Sequence, residues 1–405
     1  MAAALTVVLT VQACGSASPA SATSSVNNRF FGMHIPTLAT SYPTALGRTV
    51  GAVDLTTNGV YWPDLETSAG NWSGLTRLDA LVDSSHAHGA QPMIVLNLTP
   101  AFHSTRPGAA NVQATVPDLA AWKTYVRTVA TRYRTRADYE IWPEPGIASN
   151  WKGSPKQLAG LVAAAAKIIH GVSSKAVVVS PAMVLRMKYQ RVFMDRFFAS
   201  KVGGKRIGTY IDAVGVDPYP VQKGTPEDSM TLLAKARTIL RSHRVSAPVW
   251  NVEINYGVAG GGQTIRHHSS ASKQASYVVR TYVLNAAAGV KRVYWLGWGT
   301  FNTMDVALAR TDGTPTKAGK ALKVVASWLD GQKPSACAHN KKRHLYSCKQ
   351  VKSGHASWVY WTTKGTTVVR APKGSRHVST MTGAISTTRA HKKLTVTGAP
   401  IRVYH

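Results

Sequence analysis

Residues 138–171 read DYEIWPEPGIASNWKGSPKQLAGLVAAAAKIIHG, and residues 176–181 read AVVVSP. The opening run, DYEIW, is rich in aromatic and β-branched side chains and is stopped by Pro143 and Pro145. A longer stretch rich in Ala and Leu follows and closes on Gly171, as helices often do. The apolar run after it reads as a second strand. Strand, helix and strand at this spacing are the unit of a parallel sheet with crossover helices.

The same unit recurs in both directions along the chain. Strands are expected at 30–35 (FFGMHI), 50–55 (VGAVDL), 92–98 (PMIVLNL), 138–142, 176–181, 212–219 (DAVGVDPY), 248–254 (PVWNVEI) and 292–298 (RVYWLGW). Between them lie helical stretches such as LTRLDALVDSSHAHG, DLAAWKTYVRTVATRYR, YQRVFMDRFFAS, SMTLLAKARTILRSH and SKQASYVVRTYVLNAAAG. Eight strands with intervening helices over about 300 residues match an α/β fold of the (β/α)₈ barrel type. An open doubly wound sheet would more often carry a Gly-rich phosphate loop after its first strand, and none is present.

Past Asp330 the texture changes. The last 75 residues hold no Asp or Glu, 14 Lys or Arg and six of the 14 histidines. Short runs such as SWVYWTT, TTVVRAP and KLTVTGAPIRVYH alternate there with turn-forming residues, so residues 331–405 are expected to form a small antiparallel β-sandwich packed on a barrel spanning 27–330.

The 405 residues are 44% hydrophobic and 16% charged, which excludes a disordered or collagen-like chain. The longest apolar run is too short for a polytopic membrane protein. Forty-eight basic against 18 acidic residues give a net charge of +30, a field that any phosphate- or carboxylate-bearing partner feels. That charge serves solubility or holds an anionic cell-surface polymer, with the basic tail the first candidate for the grip. No nucleic-acid motif supports a nucleic-acid partner.

Residues 1–26 read as an export segment. Ala2 to Val11 are apolar, and the small, uncharged stretch after them offers two exits: Ala20-Ser21-Ala22 fits a cleavage site, whereas Val11-Gln12-Ala13-Cys14 is an imperfect lipobox in which Cys14 carries lipid. The positively charged start usual for such segments is missing. In an oxidising compartment Cys337 and Cys348 form a disulfide; the alternative is two unrelated buried thiols.

With acidic residues so scarce, those at the C-terminal ends of expected strands stand out, because barrel active sites are built at that face. Alternation groups Glu140, Trp142 and Glu144 on one face of the fourth strand, and Val249, Asn251 and Glu253 on one face of the seventh. Glu144 and Glu253 are thus expected to face each other across the barrel mouth. Two carboxyl groups flanking a bond are what glycoside hydrolysis needs, one to protonate the leaving oxygen and one to attack or to activate water.

The pattern W-x-x-L-E-x-x-x-G-x-W-x-x-x-x-L-D-x-L-V, carried by Trp62, Leu65, Glu66, Gly70, Trp72, Leu78, Asp79, Leu81 and Val82, resembles the second βα unit of clan A glycoside hydrolases. IWPEP, DPYP and WNVEINYG, in that order, resemble the same group, nearest in likeness to family 39 and related bacterial cell-surface glycosidases. The resemblance implies retaining hydrolysis with Glu144 as acid/base and Glu253 as nucleophile. It further implies Tyr219 as hydrogen-bond donor to the nucleophile. Trp298 serves as aromatic platform for a sugar, with Trp295 left to packing, and His34 and Tyr256 join the expected substrate contacts. No metal or other cofactor is called for.

Three positions depart from the family pattern. Pro143 stands where an asparagine usually binds the sugar 2-hydroxyl, strand two has Ala52-Val53-Asp54-Leu55 where an arginine is common, and Asp217 stands where a histidine is common. These changes imply an unusual substrate or a silent site, so the alternative to a hydrolase is a glycan-binding or wall-anchoring protein on the same fold. Other residues carry weaker signals. His86, His88, His267 and His268 read as surface histidines rather than metal ligands, and His103 as a rim or core residue. The strong positive charge favours ionised carboxylates and so lowers both catalytic pKa values, the proximity of the two glutamates opposing this for the acid, which predicts an acidic pH optimum.

Overall fold

The structure, a computed structural model, describes residues 24–259, 268–299 and 303–405. Cys14 and the Ala20-Ser21-Ala22 site lie outside the described residues, as does His267. All eight expected strands are present: β1 Phe31–His34, β2 Ala52–Asp54, β3 Gln91–Leu96, β4 Asp138–Ile141, β5 Val178–Val179, β6 Val214–Asp217, β7 Val249–Ile254 and β8 Val293–Trp295. They are parallel, and their order around the sheet is β5-β4-β3-β2-β1-β8-β7-β6.

The fifth strand departs from its expected form. Residues 176–181 supply only the two-residue β5, and a second piece, Met183–Val184, pairs with β6. Pro181 has no N–H to give the ladder and so interrupts it. Each half serves one neighbour, and a parallel bridge between Val179 and Ala213 closes the ring.

Helices cover the outside: α1 Leu75–Ala87, α2 Leu119–Tyr133, α3 Pro155–Val172, α4 Lys188–Ala199, α5 Pro226–Ser242, α6 Ala271–Ala287 and α7 Lys317–Leu329. The first βα connection holds only the 3-10 turn Thr44–Leu46. Helix α3 illustrates the local logic. Ser154 and Gln157 form a reciprocal capping box with Pro155 at the first helical position. Leu158, Leu161, Val162, Ala165, Ala166 and Ile169 then recur at helical spacing and are buried. Each large apolar side chain of that stripe contributes about 1.5–3 kcal/mol relative to exposure.

Met93, Val179, Trp250, Val252 and Tyr294 fill the barrel interior. Gly32 on β1 makes room, since a Cβ there would lie 2.5 Å from the Tyr294 ring. At the N-terminal ends of the strands, buried Arg292 ion-pairs with Asp138, lies 3.9 Å over the Trp250 ring and bonds the Tyr294 hydroxyl at 3.1 Å. The floor of the barrel is therefore closed by a satisfied charge.

After α7 the chain forms antiparallel strands. One sheet runs Lys333–Pro334, Leu345–Lys352, His355–Thr362, Ile401–Tyr404, His377–Thr380 and Ile385–Thr387, with Ala338–Asn340 also beside Leu345–Lys352. The second pairs Thr367–Arg370 with Lys393–Val396. Leu345, Tyr360, Val369, Val378, Val396 and Val403 share a core drawn from both sheets. The run expected at 393–405 divides at Thr397 to Pro400 into two strands, one in each sheet, because Gly398 and Pro400 do not sustain a ladder. Cys337 and Cys348 are joined by the expected disulfide.

These strands are bolted to the barrel. Trp361 donates to Glu227 of α5 at 2.8 Å, and the same carboxylate pairs with Arg280 of α6. Trp328 of α7 donates to Ser379 at 3.2 Å. No helix among the described residues is long and apolar enough to cross a membrane.

Candidate active site

Glu144 reaches the barrel mouth by a different route from simple alternation. Glu140 does lie inside the barrel, but Trp142 packs in the helix layer against Trp151 at 4.8 Å and Trp122 at 6.2 Å, its indole bonded to the Asn150 carbonyl at 2.8 Å. The chain turns through left-handed backbone at Trp142 (φ 72°) and Glu144 (φ 45°) on either side of Pro143. Such conformations cost roughly 1–3 kcal/mol each for residues with a Cβ and persist where their surroundings fix them. Here Trp142 N–H bonds Leu96 O at 3.0 Å, Ala182 N–H bonds Trp142 O at 3.2 Å and Ile147 N–H bonds Glu144 O at 3.0 Å. The expected grouping of Glu140, Trp142 and Glu144 is thus corrected to Glu140 and Glu144, with the tryptophan removed.

Strand β7 needs a similar correction. Trp250 and Val252 face the interior, while the Asn251 amide meets Asn285 of α6 at 3.4 Å on the outer side. Strict alternation would send Glu253 outward with Asn251. An irregularity in the pairing with β8 between Asn251 and Ile254 resets the pattern and brings Glu253 to the mouth. There the Tyr219 hydroxyl, two residues past β6, donates to Glu253 Oε1 at 2.8 Å.

The mouth gathers carboxyl groups. Burial pushes Glu144 up to about 8; the neighbouring Glu253 charge adds to this, while Arg186 and a 3.4 Å bond from Asn150 oppose it. Burial also raises Glu253, opposed by His34 and by the Tyr219 bond. Beneath them Glu140 and Asp217 are pushed well above the carboxylate range by burial and by the neighbouring carboxylates. Among the described residues Glu140 Oε2 and Asp217 Oδ1 have no hydrogen-bond partner. Asp54 is better served, accepting from Thr56 N–H at 2.7 Å with His34 Nδ1 at 3.4 Å. The expectation that the positive scaffold lowers the catalytic pKa values is overturned, because desolvation at close quarters outweighs a diffuse, screened field.

His34 lies under the mouth rather than on its surface. It is buried, with Nε2 at 3.0 Å from Val252 O beside Glu253, so it supports the site from below. Trp298 borders a cleft of about 920 Å³ together with Tyr42, Thr44 and Arg310, next to the end of β8. Trp295 packs in the core on Tyr256 and Tyr282, as expected. Tyr256 is corrected as a substrate contact. It is buried, its ring lies against Tyr277, and its hydroxyl bonds Thr281 of α6 at 2.6 Å.

Glu66 serves the fold rather than the mouth. It accepts from Trp62 Nε1 at 2.7 Å and Gly70 N–H at 2.8 Å and lies 3.0 Å from His103. Trp62 in turn stacks on Tyr125 at 4.6 Å. The motif around Trp62 therefore ties a loop to α2. His88 stacks on Tyr42 at 3.9 Å, His86 bonds Arg136 O at 2.8 Å and His268 lies 3.6 Å from Asp305. Among the described residues no group of three or more His, Cys, Asp or Glu side chains is placed to hold a metal ion.

Sequence reasoning missed Arg186 and Asn150. Arg186 follows the second piece of the fifth strand by two residues, a signal that becomes visible only once the strand is known to resume after Pro181. Asn150 lies in the loop before α3, where no spacing rule marks it.

No protein-family model and no curated protein matches this sequence. Its fold does match solved structures. A family 39 glycoside hydrolase from the gut symbiont Bacteroides cellulosilyticus superposes with a TM-score of 0.72 at 16% identity, covering 93% of this chain and 81% of that one. A family 39 enzyme from Xanthomonas axonopodis pv. citri gives 0.63 at 13% identity, covering 95% of each chain. A family 30 endoxylanase from Clostridium papyrosolvens gives 0.61 at 13% identity, covering 94% of this chain and 97% of that one. What this chain shares with these enzymes is its fold, over 93–95% of its length.

Proposed function

We propose that this protein is a retaining glycoside hydrolase acting on an extracellular or cell-surface polysaccharide. The observation that carries the reading is a pair of glutamates at one barrel mouth in unlike surroundings. Glu144, pushed up to about 8, keeps its proton at neutral pH, whereas Glu253, though burial raises it as well, is held back toward its charged form by His34 and the Tyr219 hydroxyl. Two carboxyl groups in unlike surroundings at one mouth are what the acid and the nucleophile of such a reaction require.

Glu144 donates its proton to the glycosidic oxygen as the Glu253 carboxylate attacks the anomeric carbon, giving a glycosyl ester and releasing the leaving sugar. Water then attacks that carbon, Glu144 takes its proton, and Glu253 is freed as carboxylate. The phenol of Tyr219 holds Glu253 Oε1 while the other oxygen attacks. Its own proton is secure, since burial and the adjacent carboxylates push the phenol well above its usual range.

The apolar stretch Ala2 to Val11 and the Cys337–Cys348 disulfide support an exported protein. Cys14 remains the candidate lipid attachment point, and the acid-free tail the candidate contact to an anionic wall polymer.

The test is hydrolysis of a panel of aryl α- and β-glycosides and soluble polysaccharides by the native protein, Glu144→Gln and Glu253→Gln. Native hydrolysis abolished in Glu253→Gln is expected, together with a Glu144→Gln defect that is larger on poor leaving groups. A second reading, binding without turnover, is favoured by Pro143, which offers no amide to the sugar 2-hydroxyl. It predicts saturable glycan binding, no product and indifference to both substitutions.

A further inference from the structure

The guanidinium of Arg186 stands at the mouth with most of its donors unused. Among the described residues its Nε meets only the Tyr219 carbonyl, at 3.5 Å, and its backbone carbonyl is pinned by Arg191 at 2.9 Å. The side chain is half-buried and close enough to Glu144 and Tyr219 for its charge to act on both. An arginine here works against the acid, because its charge favours loss of the Glu144 proton. Its presence calls for another role.

The remaining charges of the mouth leave that role open to an anion. Burial favours the neutral forms of Glu140, Asp217 and Glu144, Asp54 accepts from Thr56 N–H beside His34, and Glu253 accepts from the Tyr219 hydroxyl. Arg186 is thus, among the described residues, the uncommitted cation facing the space beside the acid. Met187 and Tyr189, close to it in sequence at the start of α4, and Val221, two residues past Tyr219, are large apolar side chains left exposed, with Tyr189 60% accessible. A net charge of +30 concentrates polyanions at the surface.

We infer that Arg186 is a specificity-determining residue that binds a carboxylate on the sugar next to the scissile bond, so that the substrate is an acidic, uronate-bearing polysaccharide. The planar guanidinium offers a two-point contact that a hydroxymethyl group on a neutral sugar cannot match. The inference rests on the glycosidase reading for the position of the scissile bond, but its test does not require turnover.

The experiment measures binding by titration calorimetry to the full chain carrying Glu144→Gln. The probes are a series of polyuronates, each paired with its carboxyl-reduced counterpart, which keeps the backbone and loses the charge. Sulfated glycans form a separate arm. At least one polyuronate is expected to bind, and carboxyl reduction to weaken it by about 10- to 100-fold, the range of a charge-assisted bond. Adding Arg186→Gln should remove that preference while binding of the reduced polymer changes less than about threefold, and Arg186→Lys should restore only part of it. Melting temperatures of both variants close to the parent separate lost recognition from lost folding.

The inference is overturned if no polyuronate binds, if sulfated or neutral glycans bind in preference, or if Arg186→Gln weakens charged and reduced polymers equally. Failure of the glycosidase reading looks different: the native protein binds a polyuronate through Arg186 and releases no product.

Discussion

The barrel mouth and the C-terminal sandwich sort the charges of the chain in opposite ways. Five of its 18 acidic residues, Asp54, Glu140, Glu144, Asp217 and Glu253, crowd one barrel end, whereas the last 75 residues have none and carry 14 Lys or Arg. In the sandwich the charges are mostly solvated, and their effect is long-ranged and weakened by salt. In the mouth they are desolvated, and each carboxyl group shifts its neighbours. The same chain therefore presents a cationic exterior and an interior that holds protons, and net charge says little about the pKa values that govern chemistry.

The largest expected effect breaks the mouth. Glu253→Gln should lower kcat by about 10⁴-fold or more, as loss of a covalent nucleophile does. Tyr219→Phe should cost about 10- to 100-fold in kcat, the range of a bond to a charged group. Because that bond lowers the Glu253 pKa, its removal should move the acidic limb of the pH–rate profile upward and leave the basic limb in place. In the native protein the basic limb should fall at about 8, where Glu144 loses its proton. The acidic limb should lie above the ordinary carboxylate range, so activity peaks nearer neutrality than the composition suggests.

A smaller effect concerns stability. A buried acid whose folded pKa is raised stabilises the fold below its unfolded pKa, and that stability is lost as pH rises toward the folded value. Asp217→Asn should therefore melt above the native protein at pH 7 and converge with it near pH 4. Each kcal/mol recovered corresponds to roughly 2–4 °C for a large domain. Calorimetric scans at both pH values check the sign. Smallest is the seam: Trp361→Phe removes the bond to Glu227 and should cost about 1–3 kcal/mol, read as a lower unfolding midpoint in urea.

The contrast also explains what is legible in the sequence. All eight strands can be read because parallel strands buried on both faces leave continuous apolar runs, and the tail can be read because its composition changes abruptly. Strand-end position puts the two glutamates at the barrel mouth, but the alternation used to aim them fails at Trp142 in one strand and at Glu253 in the other. The left-handed backbone at Trp142 and Glu144 sends the tryptophan outward and returns Glu144 to the side of Glu140, while in β7 alternation carries Glu253 onto the side of Asn251 and the irregularity turns it inward. Neither device has a clear sequence signature. Tyr256 fails as a ligand contact because nearness to Glu253 in sequence says nothing of facing, and Arg186 is hidden by a strand that stops and resumes.

The most direct test of the two-glutamate account is the mass of the protein after incubation with 2-deoxy-2-fluoro glycosides matched to whichever sugar it accepts. These slow the second displacement and let the glycosyl ester accumulate. One sugar attached to the peptide containing Glu253, and none in Glu253→Gln, is the predicted result. Turnover of the corresponding substrate with no adduct, or an adduct on any other residue, would contradict it.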